Sequence, residues 1–132
     1  MSILGVDFGK KRIGLAISEG LLARPLATVS YKMEKEALER IIRITQEQEI
    51  GQIIFGVPEP DTIGAKDFGE KLSKLSGIPV VFVNETLTSE VAKEKLLKSG
   101  TSKKKRKIMI DEIAAATILQ SYLDTHEEKE NF

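Results

Sequence analysis

Three carboxylates stand where apolar residues are expected, and their positions suggest chemistry on a hard cation. Asp7 ends the apolar run Ile3-Leu4-Gly5-Val6. Glu85 follows Val81 and Val83 at period-2 spacing, which places it on their face at the end of a strand. Asp111 heads a helical pattern in which Ala114, Ala115, Ile118 and Tyr122 recur at helical spacing, so it shares the apolar stripe. A carboxylate in such a place must be paired, hydrogen-bonded or bound to a cation. The chain has no cysteine, and its one histidine, His126, lies in the acidic tail. Thiolate sites and cysteine nucleophiles are therefore excluded. The cation that suits an all-oxygen donor set is Mg²⁺ or Mn²⁺. Two such ions about 3.5–4 Å apart polarise a phosphate, activate water and stabilise the leaving oxygen.

Plainer readings exist for each acid. Asp111 can be a helix-start acid favoured by the macrodipole, worth about 0.3–1 kcal/mol. Glu85 can be a solvated strand-end residue, and Asp7 a structural acid. Paired acids without histidine also suit a glycosidase. Two basic runs favour a phosphodiester instead. Lys10, Lys11 and Arg12 follow Asp7 in a turn, and Lys103, Lys104, Lys105, Arg106 and Lys107 precede Asp111. The first could grip phosphates beside a cut site, and the second could clamp a backbone without reading sequence. Either could instead be a solvated charge run. The formal net charge is zero, so these patches are hidden in the total. No aromatic ladder accompanies them, which argues against single-strand base stacking.

The elements that must position these residues follow from periodicity. Strands are expected over 2–7, 12–18 and 24–31, the first two joined by the turn Phe8-Gly9-Lys10-Lys11. Gly14 inside the second strand suggests a bulge or a close backbone approach. A helix is expected over 33–49, with Gly51 as its C-terminal break. A strand at 52–57 ends before Pro58, and a second helix at 65–76 ends at Gly77. The run Pro79–Val83 reads as a strand buried on both faces. Thr88 suits the N-cap of a third helix at 89–98, with Thr86, Thr88 and Ser89 in capping or substrate-contact roles. A basic loop at 100–105 leads to a last helix at 109–125, in which Ala114-Ala115-Ala116 would allow close packing on the sheet. The order β-β-β-α-β-α-β-α-α implies an α/β fold with a mixed sheet and helices on its faces.

The 132 residues suit one domain, expected over 1–125, with an acidic, frayed tail at 126–132. Apolar residues make up 41% and charged residues 30%, an ordinary globular balance. The absence of a membrane-length apolar run, of a signal-peptide pattern and of cysteine leads to the expectation of a cytoplasmic protein with no membrane partner.

These residues resemble the YqgF/RuvX family of RNase H-like proteins, described as pre-16S rRNA nucleases or Holliday-junction resolvase-like proteins. Gly5–Ala16 resembles the family's opening signature, Gly56-Val57-Pro58 its Gly-x-Pro, Pro79–Ser89 its last-strand motif, and Lys103–Leu123 its C-terminal block. The resemblance covers nearly the whole chain. It implies an RNase H-like fold with a five-stranded mixed sheet, strand one central. It implies that Asp7, Glu85 and Asp111 are catalytic acids holding divalent metal. It also implies a nucleic-acid partner, pre-rRNA or branched DNA, and a monomer or homodimer. Two departures are present. The loop Glu59–Gly64 is short for the family, and the usual acid-Glu-Arg triplet is Asn84-Glu85-Thr86 here. Two other functions compete with the nuclease. One is a non-catalytic nucleic-acid- or ribosome-binding module that keeps the fold. The other is nucleotide binding, because Asp-x-Gly before a basic hairpin also resembles the first phosphate loop of actin- and Hsp70-like ATPases, although 132 residues leave no room for their second lobe.

Overall fold

The computed structural model describes residues 1–85 and 110–130, with side chains in the final helix described as far as His126. Strands β1 (Ser2–Phe8), β2 (Arg12–Ser18) and β3 (Ala23–Ser30) form an antiparallel meander. Helix α1 (Glu34–Glu47) leads to β4 (Ile50–Val57), and α2 (Ala65–Ser76) leads to β5 (Val80–Asn84). Helix α3 spans Ile110–Glu130. The sheet order is β3-β2-β1-β4-β5, with β4 parallel to β1 and β5 parallel to β4. This is the expected five-stranded mixed sheet with strand one central.

The period-2 alternation of the strands sends their two sets of side chains to different layers. Leu4, Val6, Phe8, Leu15, Ile53 and Phe55 face α1 and α2. Phe68 of α2 stacks on Phe8 with ring centroids 4.6 Å apart. On the other face lie Ile3, Ala16, Ile54, Val81 and Val83, packed under Ala115, Ala116, Ile118 and Leu119 of α3. A Cβ on Gly5 would lie 3.0 Å from the Ala115 carbonyl oxygen and 2.7 Å from Leu119 Cβ. The alanine run of α3 therefore does bring the helix onto the sheet at short range.

One buried polar side chain ties α3 to the strands. Gln120 is 1% exposed. Its Oε1 accepts from the Ala23 amide at 2.8 Å, and its Nε2 donates to the Leu21 carbonyl at 2.9 Å and to Asp124 Oδ1 at 3.0 Å.

The structure shifts three sequence expectations. Helix α1 ends at Glu47 because Glu49 turns the chain with φ 53°, so Gly51 lies inside β4 and is not the break. Gly77, by contrast, is the break expected for α2, with φ 74°. Strand β5 is only half-buried, because it is an edge strand whose faces are each partly covered. The last helix does not stop at 125 but runs through Glu130. The helix expected at 89–98, its cap at Thr88, and the basic residues 103–107 lie outside the described residues.

Candidate active site

The site is built on one row of the sheet. Asp7 pairs with Gly14 of β2 on one side and with Gly56 of β4 on the other. Gly14 pairs in turn with Thr28, and Gly56 with Val83. Paired residues share a face, so the only carboxylate in the row has no side chain on either side. Gly14 is required for a close backbone approach, and Gly56 leaves room for a side chain of α3. A Cβ on Gly14 would lie 1.8 Å from the carbonyl oxygen of Asp111, and one on Gly56 would lie 2.7 Å from Ile118 Cδ1 and 3.5 Å from Glu85 Cβ. The gap over Gly14 is therefore filled by the start of α3, and the gap over Gly56 by Ile118 of the same helix, with Glu85 at ordinary contact distance. Asp111 arrives over Gly14 from the first turn of α3, and Glu85 arrives beside Gly56 from the residue just past β5.

The electrostatics follow from this seating. Burial, the charges of Glu85 and Asp111, and a hydrogen bond shared with Glu85 raise the Asp7 carboxyl from 3.8 to about 7. Burial also raises Glu85, and the hydrogen bond from Asp7 opposes that rise. Asp7 and Glu85 thus form a carboxyl–carboxylate pair that gives up its protons less readily than ordinary acids. Asp111 acts on Asp7 by charge but is directed elsewhere. Arg12 Nε donates to Asp111 Oδ2 at 2.9 Å. The side chains of that ion pair are 61% and 27% exposed, which makes it a weak surface pair of about 0–1 kcal/mol.

The donor set suits a hard divalent cation. It consists of three carboxylates with surplus negative charge, two of them reluctant to ionise beside one another. As placed, though, no three acids or histidines among the described residues stand close enough together to hold a metal ion.

The basic turn lies beside Asp7 and is pinned from behind. Lys10, Lys11 and Arg12 are exposed. The Tyr31 hydroxyl donates to the Gly9 carbonyl at 2.7 Å, and the Tyr31 amide donates to the Lys11 carbonyl at 3.1 Å. Sequence reasoning missed Tyr31, whose only local signal is an aromatic residue at a strand end. It also missed the tie from Thr28 Oγ1 to Glu112 Oε1 at 3.1 Å, which anchors the start of α3 to β3.

The short loop after β4 makes one contact toward the site and one away from it. Asn84, at the family's acid position, donates its amide to the Glu59 carboxylate. Asp61 caps α2 instead of facing the acids, accepting from the Ala65 and Lys66 amides at 2.9 and 3.0 Å, and these bonds lower its pKa. A groove of about 320 Å³ opens between β5 and α3 beyond Asn84, walled by Val81, Val83, Ile118 and Tyr122. His126 is exposed and stacks on Tyr122 with ring centroids 3.8 Å apart, away from the three acids.

Comparison with known proteins gives one consistent picture. The family model described as "RuvX: Holliday junction resolvase" matches residues 1–125. A protein of Thermoanaerobacter pseudethanolicus with the printed name "Putative pre-16S rRNA nuclease" is 40% identical over 139 residues, covering 98% of this chain and 100% of the relative. A Listeria monocytogenes protein of the same printed name is 37% identical, covering 95% and 99%. Among solved structures, Thermus thermophilus RuvC bound to a Holliday junction substrate superimposes with a TM-score of 0.65 at 15% identity, covering 96% of each chain. The fowlpox virus resolvase in complex with junction DNA gives 0.62 at 18% identity, covering 95% and 98%. At these identities the two structures establish the fold, which is RNase H-like.

Proposed function

The chain belongs to the RuvX family, a family of nucleases, and from that premise we propose that it hydrolyses phosphodiester bonds in pre-16S rRNA with Asp7, Glu85 and Asp111 as its catalytic acids. The observation that carries the assignment of residues is the row Gly14-Asp7-Gly56: the missing side chain at Gly14 admits the start of α3 with Asp111, Glu85 lies in contact range of Gly56, and both charges act on Asp7. The choice of substrate is supported by full-length relatives named for that RNA.

Mg²⁺ or Mn²⁺ bound by these carboxylates would polarise the scissile phosphate and lower the pKa of a water. The residues of this chain then have separate tasks. Asp7 presents its carboxylate from the sheet centre, and its backbone is fixed by ladders on both sides. Glu85 shares a proton with Asp7, and loss of that proton readies the pair for a cation. Lys10 and Lys11 hold phosphates flanking the cut, on a turn that Tyr31 keeps in place. Lys103, Lys104, Lys105 and Arg106, which precede α3 in sequence, extend that grip along the backbone. Residues 1–125 act as one nuclease domain, and the chain works in the cytoplasm.

A second reading, branched DNA as the substrate, is favoured by the description of the family model. Symmetric cutting of a junction would require two sites and hence a homodimer.

The test is to incubate the full chain with Mn²⁺ and either pre-16S rRNA or a four-way DNA junction, beside Asp7→Asn. Cleavage of the rRNA precursor is expected, falling at least about 10³-fold in the variant. Cleavage that survives the substitution would overturn the carboxylate assignment. Cleavage of the junction alone would move the assignment to DNA, and binding without cleavage of either would make the chain a non-catalytic module.

A further inference from the structure

Arg12 and Asp111 have conflicting duties. In the reading given above, the first belongs to the basic turn that would grip phosphate and the second to the acids that would hold metal, and the structure joins them at 2.9 Å. Asp7 and Glu85 meanwhile bond to each other. The acids are therefore divided between two partners, and among the described residues no three of them gather into a metal-holding group.

We propose that Arg12 is a positioning residue that holds Asp111 out of the metal-ligand set until a substrate phosphate takes its guanidinium. The proposal rests on the metal-site reading given above and adds an order of assembly to it.

Backbone rigidity confines the exchange to two side chains. Arg12 opens β2 opposite Ser30, and the Tyr31 amide holds the preceding carbonyl. Asp111 has its own carbonyl over Gly14, and its neighbour Glu112 is tied to Thr28. Neither backbone has to move for the pair to part. The pair is also weak, because Arg12 is 61% exposed. A phosphodiester offers guanidinium two oxygens in the bidentate geometry it favours, so the phosphate is a competent rival for it. Once released, Asp111 is already within charge range of Asp7. Metal and nucleic acid must then each strengthen the other's binding, since such coupling is reciprocal. The weakness of a surface pair limits the effect to about two- to fivefold.

The opposite arrangement makes the opposite prediction. If Arg12 only oriented Asp111 for a metal bound through its other oxygen, its loss would weaken metal binding by about 10–100-fold.

Mn²⁺ titration of the full chain without nucleic acid, followed by the paramagnetic resonance of the free ion, separates the two. Arg12→Gln is expected to tighten binding about two- to fivefold. Lys11→Gln removes the same charge from the same turn and should tighten it less. In an Asp111→Asn background, Arg12→Gln should do no more than Lys11→Gln does, because its excess effect acts through that acid. Weaker binding in Arg12→Gln, an effect equal to that of Lys11→Gln, or an excess over Lys11→Gln that persists in Asp111→Asn would each overturn the proposal while leaving the metal site standing. No Mn²⁺ binding by any variant would overturn the metal-site reading and the proposal with it.

Discussion

The two faces of the sheet solve opposite problems with the same strands. The face under α1 and α2 is filled by bulk, with Leu15, Val6, Phe55 and Phe82 in one row and Phe8 and Phe68 stacked beside it. The face under α3 is kept thin, with Gly14, Asp7, Gly56 and Val83 in one row and Ala16, Gly5, Ile54 and Val81 in the next. Burial of large side chains stabilises the first face. On the second, apolar contact is given up so that a helix backbone can reach the sheet. The aromatic face thus holds the fold together, and the glycine face sets the distances between acids. Stability and activity should separate along that division.

The largest expected effect is on the aromatic face. Phe55→Ala should lower unfolding free energy by about 3–5 kcal/mol in urea titrations. The residual folded fraction should cleave RNA at a normal rate per molecule. A loss of specific activity beyond the loss of folded protein would break the division. On the glycine face Gly14→Ala should do the reverse. Its Cβ would overlap the Asp111 carbonyl at 1.8 Å, so the start of α3 must move. A displacement of about 1 Å at a catalytic group costs about 10²-fold in rate, to be read from single-turnover cleavage by protein with a melting transition still intact.

The smallest effect tests Asp7 as a stability liability. Its folded pKa of about 7 lies above the ordinary 3.8. Between those values the folded chain holds more protons than the unfolded one, so stability falls as pH rises through that window and levels off above it. Asp7→Asn removes the titration. In chelator, the variant should be more stable than the unsubstituted chain by about 1 kcal/mol at pH 8, with the gap closing toward pH 4. A variant less stable than the unsubstituted chain at pH 8 would show that Asp7 is held as a stabilising charge.

Local pattern carried much of this into the sequence. Period-2 alternation placed Ile3, Gly5 and Asp7 on one face of their strand and Val81 and Val83 on one face of theirs, and the structure brings Ile3, Val81 and Val83 into one layer. Gly14 was legible as a close approach, although nothing local names Asp111 as the group that approaches. Contacts between residues far apart in the chain were not legible. Arg12 meets Asp111 across 99 positions and Thr28 meets Glu112 across 84. The half-burial of β5 also escaped, because an apolar run looks the same at a sheet edge as at its centre. Gly51 was misjudged because the chain turns at Glu49, a residue type that rarely takes positive φ. Glu85 was placed on its face by the strand's period, but its nearness to Gly56 depends on strand order.

Gln120 gives α3 a property that packing alone would not. A helix resting on small residues could in principle slide along its axis, since glycine and alanine offer few ridges to catch it. Axial slip would strip Gln120 from the Ala23 amide and the Leu21 carbonyl. Each abandoned buried group would cost about 1–3 kcal/mol. The helix therefore has one allowed height, indexed from its middle, and Asp111 two and a half turns away inherits that height as the end of a rigid ruler does.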